Sequence, residues 1–255
     1  MRHTTLLSAF VFATTCPVLA CTKWSGGPTS EKGHVIGEGD VVKRALTVAD
    51  FHGIELEGAM DLELTPSNER SIEVEAQANI AELVSTEVKN GIWHLTTTQG
   101  YTTNKTFIVH VKLPFLDMLA IEGSGDAKGT GPFKADDFAL SIGGSGDATM
   151  DIQAKSITLS TAGSGDMKLG GTCTKLHVVV AGSGDVNAKE LQAAQANVSV
   201  AGSGDVAVNT SDELDASIAG SGNVSYAGSP AHVRKDISGS GEVRPLGTGT
   251  RKGPL

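Results

Sequence analysis

The chain has 255 residues, a formal net charge of −9 at pH 7 and only 4% aromatic residues. Glycine contributes 32 residues, which favours a fold rich in turns over a long helical bundle. The acidic balance, without a clustered basic stripe, excludes a nucleic-acid partner and disfavours binding to an acidic membrane surface. We therefore expect contact with a membrane only through an anchor.

Residues 1–20 are predicted to be a signal peptide. Their apolar stretch, residues 6–15, is too short to span a bilayer and precedes the small-residue sequence Val18-Leu19-Ala20. The next residue is Cys21, and this junction resembles a bacterial lipobox, in which the cysteine is acylated and becomes the mature N-terminus. Cys21 is accordingly the predicted lipid attachment, and ordinary cleavage after Ala20 remains the alternative.

Two segments separate the signal from the repeats described below. Residues 21–43 are polar and glycine-rich, which predicts a flexible tether. Residues 44–118 hold most of the aromatic residues and several alternating apolar stretches, which predicts a strand-rich cap with the first coils of a repeat fold. Within it, Asn79 to Glu87 predicts one or two helical turns with Asn79 as the N-cap.

The strongest signal is an internal repeat. Gly-Ser-Gly followed by Asp, Asn or Glu occurs seven times, at spacings of 21, 19, 19, 20, 18 and 19 residues. A near-constant period of this kind is the signature of a repeat architecture. Gly58-Ala59-Met60-Asp61 resembles a degenerate earlier copy. The predicted structural turn glycines of the seven copies are Gly123, Gly125, Gly144, Gly146, Gly163, Gly165, Gly182, Gly184, Gly202, Gly204, Gly220, Gly222, Gly239 and Gly241.

Apolar residues alternate with period two on both sides of each copy, as in Leu176, Val178 and Val180 before one motif and Val186 after it. This parity places the glycines on the inward face and Ser and Asp on the outward face. A repeat of about 19 residues cannot bury its inward face alone, but stacked copies share a continuous core.

The predicted fold is therefore all-β: a right-handed parallel β-helix, or β-solenoid, over residues 119–245, with one coil per repeat and a polar tail at 246–255. The paired glycines indicate a narrow edge where any Cβ would clash, or a bend that needs positive φ. A β-propeller requires repeats near 40 residues and a sandwich lacks such strict periodicity.

An acidic column is the one constellation that could carry chemistry. Stacked carboxylates repel one another, so they must be solvated, hydrogen-bonded to backbone N–H groups or bridged by cations. Two interpretations stay open: each Asp caps its own turn through neighbouring N–H groups, or the column is a weak cation site. Calcium-binding solenoids use a nine-residue period, whereas this period is about 19. The column comprises Asp126, Asp147, Asp166, Asp185 and Asp205.

Catalytic and metal-binding motifs were not found in the sequence. The histidines after the signal are scattered singly, and the sequence contains no HExxH, G-x-S-x-G, P-loop or G-x-G-x-x-G pattern. We therefore predict no catalytic residues, no metal site, no cofactor and no enzymatic activity. A carbohydrate-active β-helix enzyme is the alternative, although the repeats carry few aromatic residues to stack on sugars.

Several further motifs occur in a fixed order along the chain. They are Arg44, Phe51 to Leu56, Val109 to Leu116, Ile121 to Asp126 with its repeats, and Tyr226 to Pro230. With these motifs the sequence resembles a known family, named "putative auto-transporter adhesin, head GIN domain". The resemblance covers about residues 44–243 and implies a β-solenoid in an exported, often lipid-anchored bacterial envelope protein; it implies no established activity and no catalytic residues.

Together these observations predict an exported, lipid-anchored, non-catalytic surface or adhesin-like interaction module. Its location would be the bacterial outer membrane, as a lipoprotein, or the periplasm. Its partner would be an envelope protein or a glycan. A periplasmic scaffold that associates with copies of itself, a homo-oligomer, is a further alternative.

Overall fold

The structure, a computed structural model, describes residues 33–246. The predicted signal peptide, Cys21 and nearly all of the predicted polar tail lie outside the described residues. Within residues 33–246, no helix is long and apolar enough to cross a membrane.

The described chain begins with short strands and a single helical turn. In chain order these are β1 (Val35–Ile36), β2 (Val41–Ala45), β3 (Gly53–Leu56), β4 (Asp61–Pro66), β5 (Ser71–Gln77), α1 (Ala78–Ala81), β6 (Val88–Lys89), β7 (Ile92–Leu95), β8 (Tyr101–Thr102) and β9 (Ile108–Leu113).

The repeats follow as longer strands. These are β10 (Met118–Ile121), β11 (Ala127–Lys134), β12 (Asp137–Ile142), β13 (Ala148–Thr161), β14 (Met167–Val180), β15 (Val186–Val200), β16 (Val206–Ile218), β17 (Val224–Ala227), β18 (His232–Ile237) and β19 (Val243–Pro245).

These strands stack as a β-solenoid of about seven turns, with matching positions about 19 residues apart, which confirms the predicted fold class. The segments that precede each motif pair in parallel as one sheet, here called the upstream sheet, which runs from β7 through β3, β10 and β12 to β18. The segments that follow each motif form the downstream sheet, from β9 through β4 and β11 to β19.

A third side closes each coil. The middle parts of β13, β14 and β15 leave the downstream sheet, pair with one another, and then enter the upstream sheet of the next coil. Phe133 and Ile152 are in register on this side and are 1% and 0% exposed. The long strands are therefore bent ribbons that serve two or three sides each.

The N-terminal region stacks out of chain order. β7 and β9 pair in parallel with β3 and β4, on the side opposite to β10 and β11. The coil that comes second in sequence thus lies at the end of the stack. β5 pairs antiparallel with β9, and β2 pairs antiparallel with β5, so that antiparallel strands cover this end of the downstream sheet.

Rows of buried apolar residues, one residue per coil, fill the interior. One inward row of the upstream sheet reads Leu119, Leu140, Leu159, Val178, Val198 and Ala216, all at most 2% exposed. Burying a Leu or Val side chain contributes about 1.5–3 kcal/mol, so each coil adds to one continuous core. The last position of the row is Lys235, in register with Ala216.

The short helix departs from expectation. α1 ends at Ala81, its N-cap is Gln77, and no side chain caps it. The amide of Asn79 instead accepts a hydrogen bond from the Glu38 N–H and donates to the Ile36 carbonyl, at 3.1 and 2.8 Å. The predicted N-cap role of Asn79 is therefore wrong, because this side chain ties down the incoming chain.

Candidate interaction surface at the motif edge

The turn between the upstream and downstream sheets is the most regular surface of the solenoid; we call it the motif edge, and it comprises the seven Gly-Ser-Gly-Asp-type copies. In a typical copy Ser183 and Asp185 are exposed, Gly184 is buried and Gly182 is half-buried. The serines and acidic residues therefore form two parallel exposed rows along the stack.

Close contact between coils explains the paired glycines. A Cβ on Gly184 would overlap the carbonyl oxygen of Gly165 in the preceding coil, and would lie 3.0 Å from the carbonyl carbon. Every motif glycine has the same relation to the preceding coil. Among the fourteen, only Gly239 has a φ in the left-handed region, at +147°. Tight stacking, rather than a bend with positive φ, is thus the reason for glycine here.

The acidic residues form a hydrogen-bonded ladder between coils. The Oδ1 atom of each Asp accepts a hydrogen bond from the backbone N–H of the matching residue in the next coil. The N–H donors and their acceptors are Asp126 to Asp61 (3.1 Å), Asp147 to Asp126 (2.9 Å), Asp166 to Asp147 (2.8 Å), Asp185 to Asp166 (2.8 Å), Asp205 to Asp185 (2.7 Å) and Asn223 to Asp205 (2.8 Å).

This pattern differs from the local cap that the sequence suggested. Each carboxylate binds an N–H one coil away rather than its own neighbours, because the strand stacking brings matching residues to about 4.8 Å. The degenerate copy at Gly58 to Asp61 takes part, since Asp61 accepts the N–H of Asp126. The aspartates are therefore links between coils.

The last copies show which part of the aspartate the ladder requires. Asn223 accepts the Glu242 N–H through Oδ1 at 3.1 Å and donates from Nδ2 to Asp205 at 3.0 Å. An amide thus replaces a carboxylate without breaking the ladder. The required feature is an acceptor oxygen at this position, and the charge is an additional property of the edge.

A shallow cavity of about 360 Å³ flanks the acidic row. Three aspartates and a single lysine contribute its charged groups, which gives the cavity a negative balance. Its lining includes Asp147, Asp166, Asp185, Thr149, Lys168 and Asn187. Two carboxylates about 4.8 Å apart in water repel each other by about 0.9 kcal/mol. A cationic ligand would therefore reduce the electrostatic repulsion along the row.

A second cavity, of about 460 Å³, opens where two coils differ in length. Ala188 pairs with Val208 and Gln192 pairs with Asn209, so residues 189–191 have no partner strand in the next coil. No charged residue lines this polar cleft. Its lining is Thr172, Gln192, Ala193, Ala194, Asn209, Thr210, Ser211, Gly228 and Ser229.

Two histidine clusters were not anticipated from the sequence. His94 lies beside Glu55 and Glu57, and His110 lies between Glu63 and Glu75. The hydrogen bond from His110, followed by that from Lys43, lowers the pKa of the Glu75 carboxyl below its usual value. Each cluster joins residues that are far apart in sequence because the N-terminal coils stack out of chain order.

Cys173 forms no disulfide within residues 33–246, and burial raises the pKa of its thiol to about 11. A thiol with such a pKa stays protonated near neutral pH and is a poor nucleophile. Its environment is that of a packing residue.

The fold and the motif edge together define a β-solenoid of one repeated coil that displays one repeated polar edge. The chain belongs to the family described as "Putative auto-transporter adhesin, head GIN domain", whose model matches residues 50–230. The predicted family is thereby confirmed.

Solved structures of similar fold come from Bacteroides fragilis and Parabacteroides distasonis. A "putative adhesin" from Bacteroides fragilis aligns with a TM-score of 0.79 and 22% identity, covering 83% of this chain and 100% of the other. A "putative adhesin" from Parabacteroides distasonis gives 0.69 and 23%, covering 84% and 100%. A "putative lipid binding protein" from the same organism gives 0.68 and 25%, covering 84% and 100%. No curated protein matches the chain.

Proposed function

We propose that this chain is a non-catalytic, adhesin-like interaction module of the bacterial envelope that binds its partner along the motif edge. The observation that carries the proposal is the pair of exposed Ser and Asp rows, which repeat with the coil and present hydroxyl and carboxylate groups about every 4.8 Å. Membership of a family described as adhesin-like supports the same role.

The chemistry of the edge indicates a partner with cationic or hydroxyl groups in an extended arrangement. In each inter-coil link Oδ1 accepts a backbone N–H, while the second carboxylate oxygen has no hydrogen-bond partner among residues 33–246. A partner could therefore bind these oxygens without breaking the ladder. A basic segment of an envelope protein, or an envelope glycan, has suitable groups, and an ionic partner should bind more weakly at high salt.

Export and lipid anchoring are part of the proposal. The signal peptide at 1–20 and a diacylated Cys21 would place the folded chain on the outer membrane or in the periplasm. Cys21→Ser should move the protein from the membrane fraction to the soluble fraction, because the acyl chains supply most of the membrane affinity. A variant that fractionates as the parent does would contradict the anchor.

The test of edge binding is a comparison of the full chain with two charge-altered variants on immobilised outer-membrane fraction. Ser164→Arg with Ser183→Arg places two cations beside the aspartate row, on exposed positions whose side chains make no hydrogen bond of the ladder. The matched control, Thr158→Arg with His177→Arg, places the same charge on the outward face of the upstream sheet, where both residues pair in register. Loss of binding by the edge variant alone supports the proposal, and equal binding by both variants overturns it.

The polar cleft favours a second candidate, recognition of a neutral glycan. Its uncharged amide and hydroxyl side chains are suited to sugar hydroxyls, and the partly exposed Ala194 can contact C–H groups. Glycoside hydrolysis normally requires two carboxylates, and the lining has none, which supports binding over catalysis here. Ala194→Trp, which would fill the cleft, should abolish binding of a neutral oligosaccharide if this candidate is correct.

A further inference from the structure

Three potential metal ligands converge on the outward face of the upstream sheet. Glu55 and Glu57 are two residues apart on and just after β3, so their side chains project to the same side. His94, on β7, is in register with Glu55. His94 Nδ1 lies 3.0 Å from Glu55 Oε2 and 3.8 Å from Glu57 Oε1, and one ligand atom from each residue lies within 4.8 Å of the others.

The two separations from His94 are close to the spacing between ligand atoms in a tetrahedral zinc site. With metal–ligand bonds of about 2.0–2.1 Å, adjacent ligand atoms of a tetrahedron lie about 3.3–3.4 Å apart. The two His94 distances, 3.0 and 3.8 Å, bracket that value. The Glu57 side chain is 45% exposed, so it has room to rotate and bring its carboxylate oxygen within bonding distance of a metal ion held by Glu55 and His94.

We propose that Glu55, Glu57 and His94 form a binding site for a divalent transition metal ion of the zinc class. One imidazole nitrogen and two carboxylate oxygens are ligands that zinc accepts, and three protein ligands leave a coordination position for water or for a group of a partner. The side chains are partly exposed, at 29%, 45% and 24%, so that position is open to solvent.

The surroundings of the site are acidic. Glu122 follows β10 in the next coil, and its N–H donates to the Leu56 carbonyl, so Glu122 lies beside the Glu57 position. Glu87 is opposite His94, whose N–H donates to the Glu87 carbonyl at 2.9 Å, and the hydrogen bond from Lys89 lowers the pKa of the Glu87 carboxyl. Additional negative charge increases the affinity of a site for a dication.

The second histidine cluster provides an internal control. His110 also contacts two glutamates, but Nδ1 lies 3.0 Å from Glu63 and Nε2 lies 2.9 Å from Glu75. The ring bridges the two carboxylates, so no single point is within ligand distance of all three groups. Lys43 also binds Glu75, at 3.3 Å. The same residue types therefore form an ion-pair network at His110 and a convergent set at His94.

The test is a calorimetric titration of the EDTA-treated full chain with zinc chloride. We expect saturable one-to-one binding that weakens at least tenfold in His94→Gln and in Glu57→Gln, and that is unchanged in His110→Gln. Replacing zinc with Co²⁺ should give the intense visible absorption of a tetrahedral ion, and this absorption should disappear in His94→Gln. Circular dichroism and urea unfolding of each variant establish that it is folded.

Three results would overturn the proposal. The first is the absence of one-to-one binding at millimolar zinc. The second is equal weakening by His94→Gln and His110→Gln, which would indicate a general effect of lost imidazole. The third is loss of the zinc site in Asp166→Asn with Asp185→Asn, which would place the ion on the acidic row instead.

Discussion

The acceptor oxygen of the aspartate ladder should matter more to stability than its charge, and Asp185 allows the two properties to be separated. Its Oδ1 accepts the Asp205 N–H at 2.7 Å, and its own N–H donates to Asp166 at 2.8 Å. Asp185→Ala removes the acceptor and the charge, whereas Asp185→Asn removes only the charge. Asn223 shows that an amide can serve in this position.

The magnitudes follow from the geometry. A hydrogen bond between neutral groups contributes about 0.5–1.5 kcal/mol, and this bond separates Asp185→Asn, which keeps an uncharged acceptor, from Asp185→Ala, which has none. Both substitutions relieve repulsion from two neighbouring carboxylates, at about 0.9 kcal/mol each in water. The difference between Ala and Asn therefore isolates the acceptor, and we expect Asp185→Ala to be about 0.5–1.5 kcal/mol less stable than Asp185→Asn.

The assay is urea unfolding of the full chain, combined with hydrogen exchange at the Asp205 amide. Exchange at this amide should accelerate in Asp185→Ala and stay slow in Asp185→Asn. Ser183→Ala, an exposed change beside the ladder, serves as the control and should have little effect. Equal stability and equal exchange in the Ala and Asn variants would refute the inter-coil role of the carboxylate.

Further predictions concern the coil contact, the end of the stack and pH. Gly184→Ala should destabilise by more than about 2 kcal/mol, because the new methyl group forces the coils apart, whereas Ser183→Ala should cost less than about 1 kcal/mol; similar unfolding midpoints would contradict this. Lys235 crosses the end of the core and donates to the Val243 carbonyl at 2.6 Å, so Lys235→Leu should increase concentration-dependent association in sedimentation, and sedimentation identical to that of the parent would be the contrary result. Because the folded pKa of Glu75 is lowered, its stabilisation is complete above its ordinary value of 4.5 and is lost as pH falls through the folded pKa. The difference in urea midpoint between the parent and Glu75→Gln should therefore shrink on acidification below about pH 4.5, and a constant difference would contradict the assignment.

The repeat made much of the fold predictable. The near-constant spacing of the motif fixed the stacking period, and the parity of residues such as Val178 and Val186 correctly separated buried from exposed positions. The sequence left two reasons for the paired glycines, close contact between coils or a bend with positive φ. At Gly184 the structure shows the close contact and no positive φ. These features depend on local pattern and period, which the sequence displays directly.

Contacts between coils that are out of chain order were not predictable. Glu55 pairs with His94 because β7 stacks on the side of β3 opposite to β10, although β7 follows β3 in the sequence. The alternation of Glu55 and Glu57 on one strand face was a readable signal, but the histidine that completes the group lies about forty positions away. The N–H group that each ladder carboxylate accepts was not predictable for a related reason. An Asp at this position can cap its own turn or accept an N–H from the next coil, and the sequence looks the same in both cases.

The most direct test of binding along the motif edge is site-specific photo-crosslinking in cells. A photoreactive amino acid at Ser183 on the edge, and at Lys175 on the far side of the same coil, reports which surface contacts a partner. The account predicts a discrete crosslinked product from position 183, weakened by Asp166→Asn with Asp185→Asn, and none from position 175. Crosslinks from position 175 with none from position 183 would contradict it.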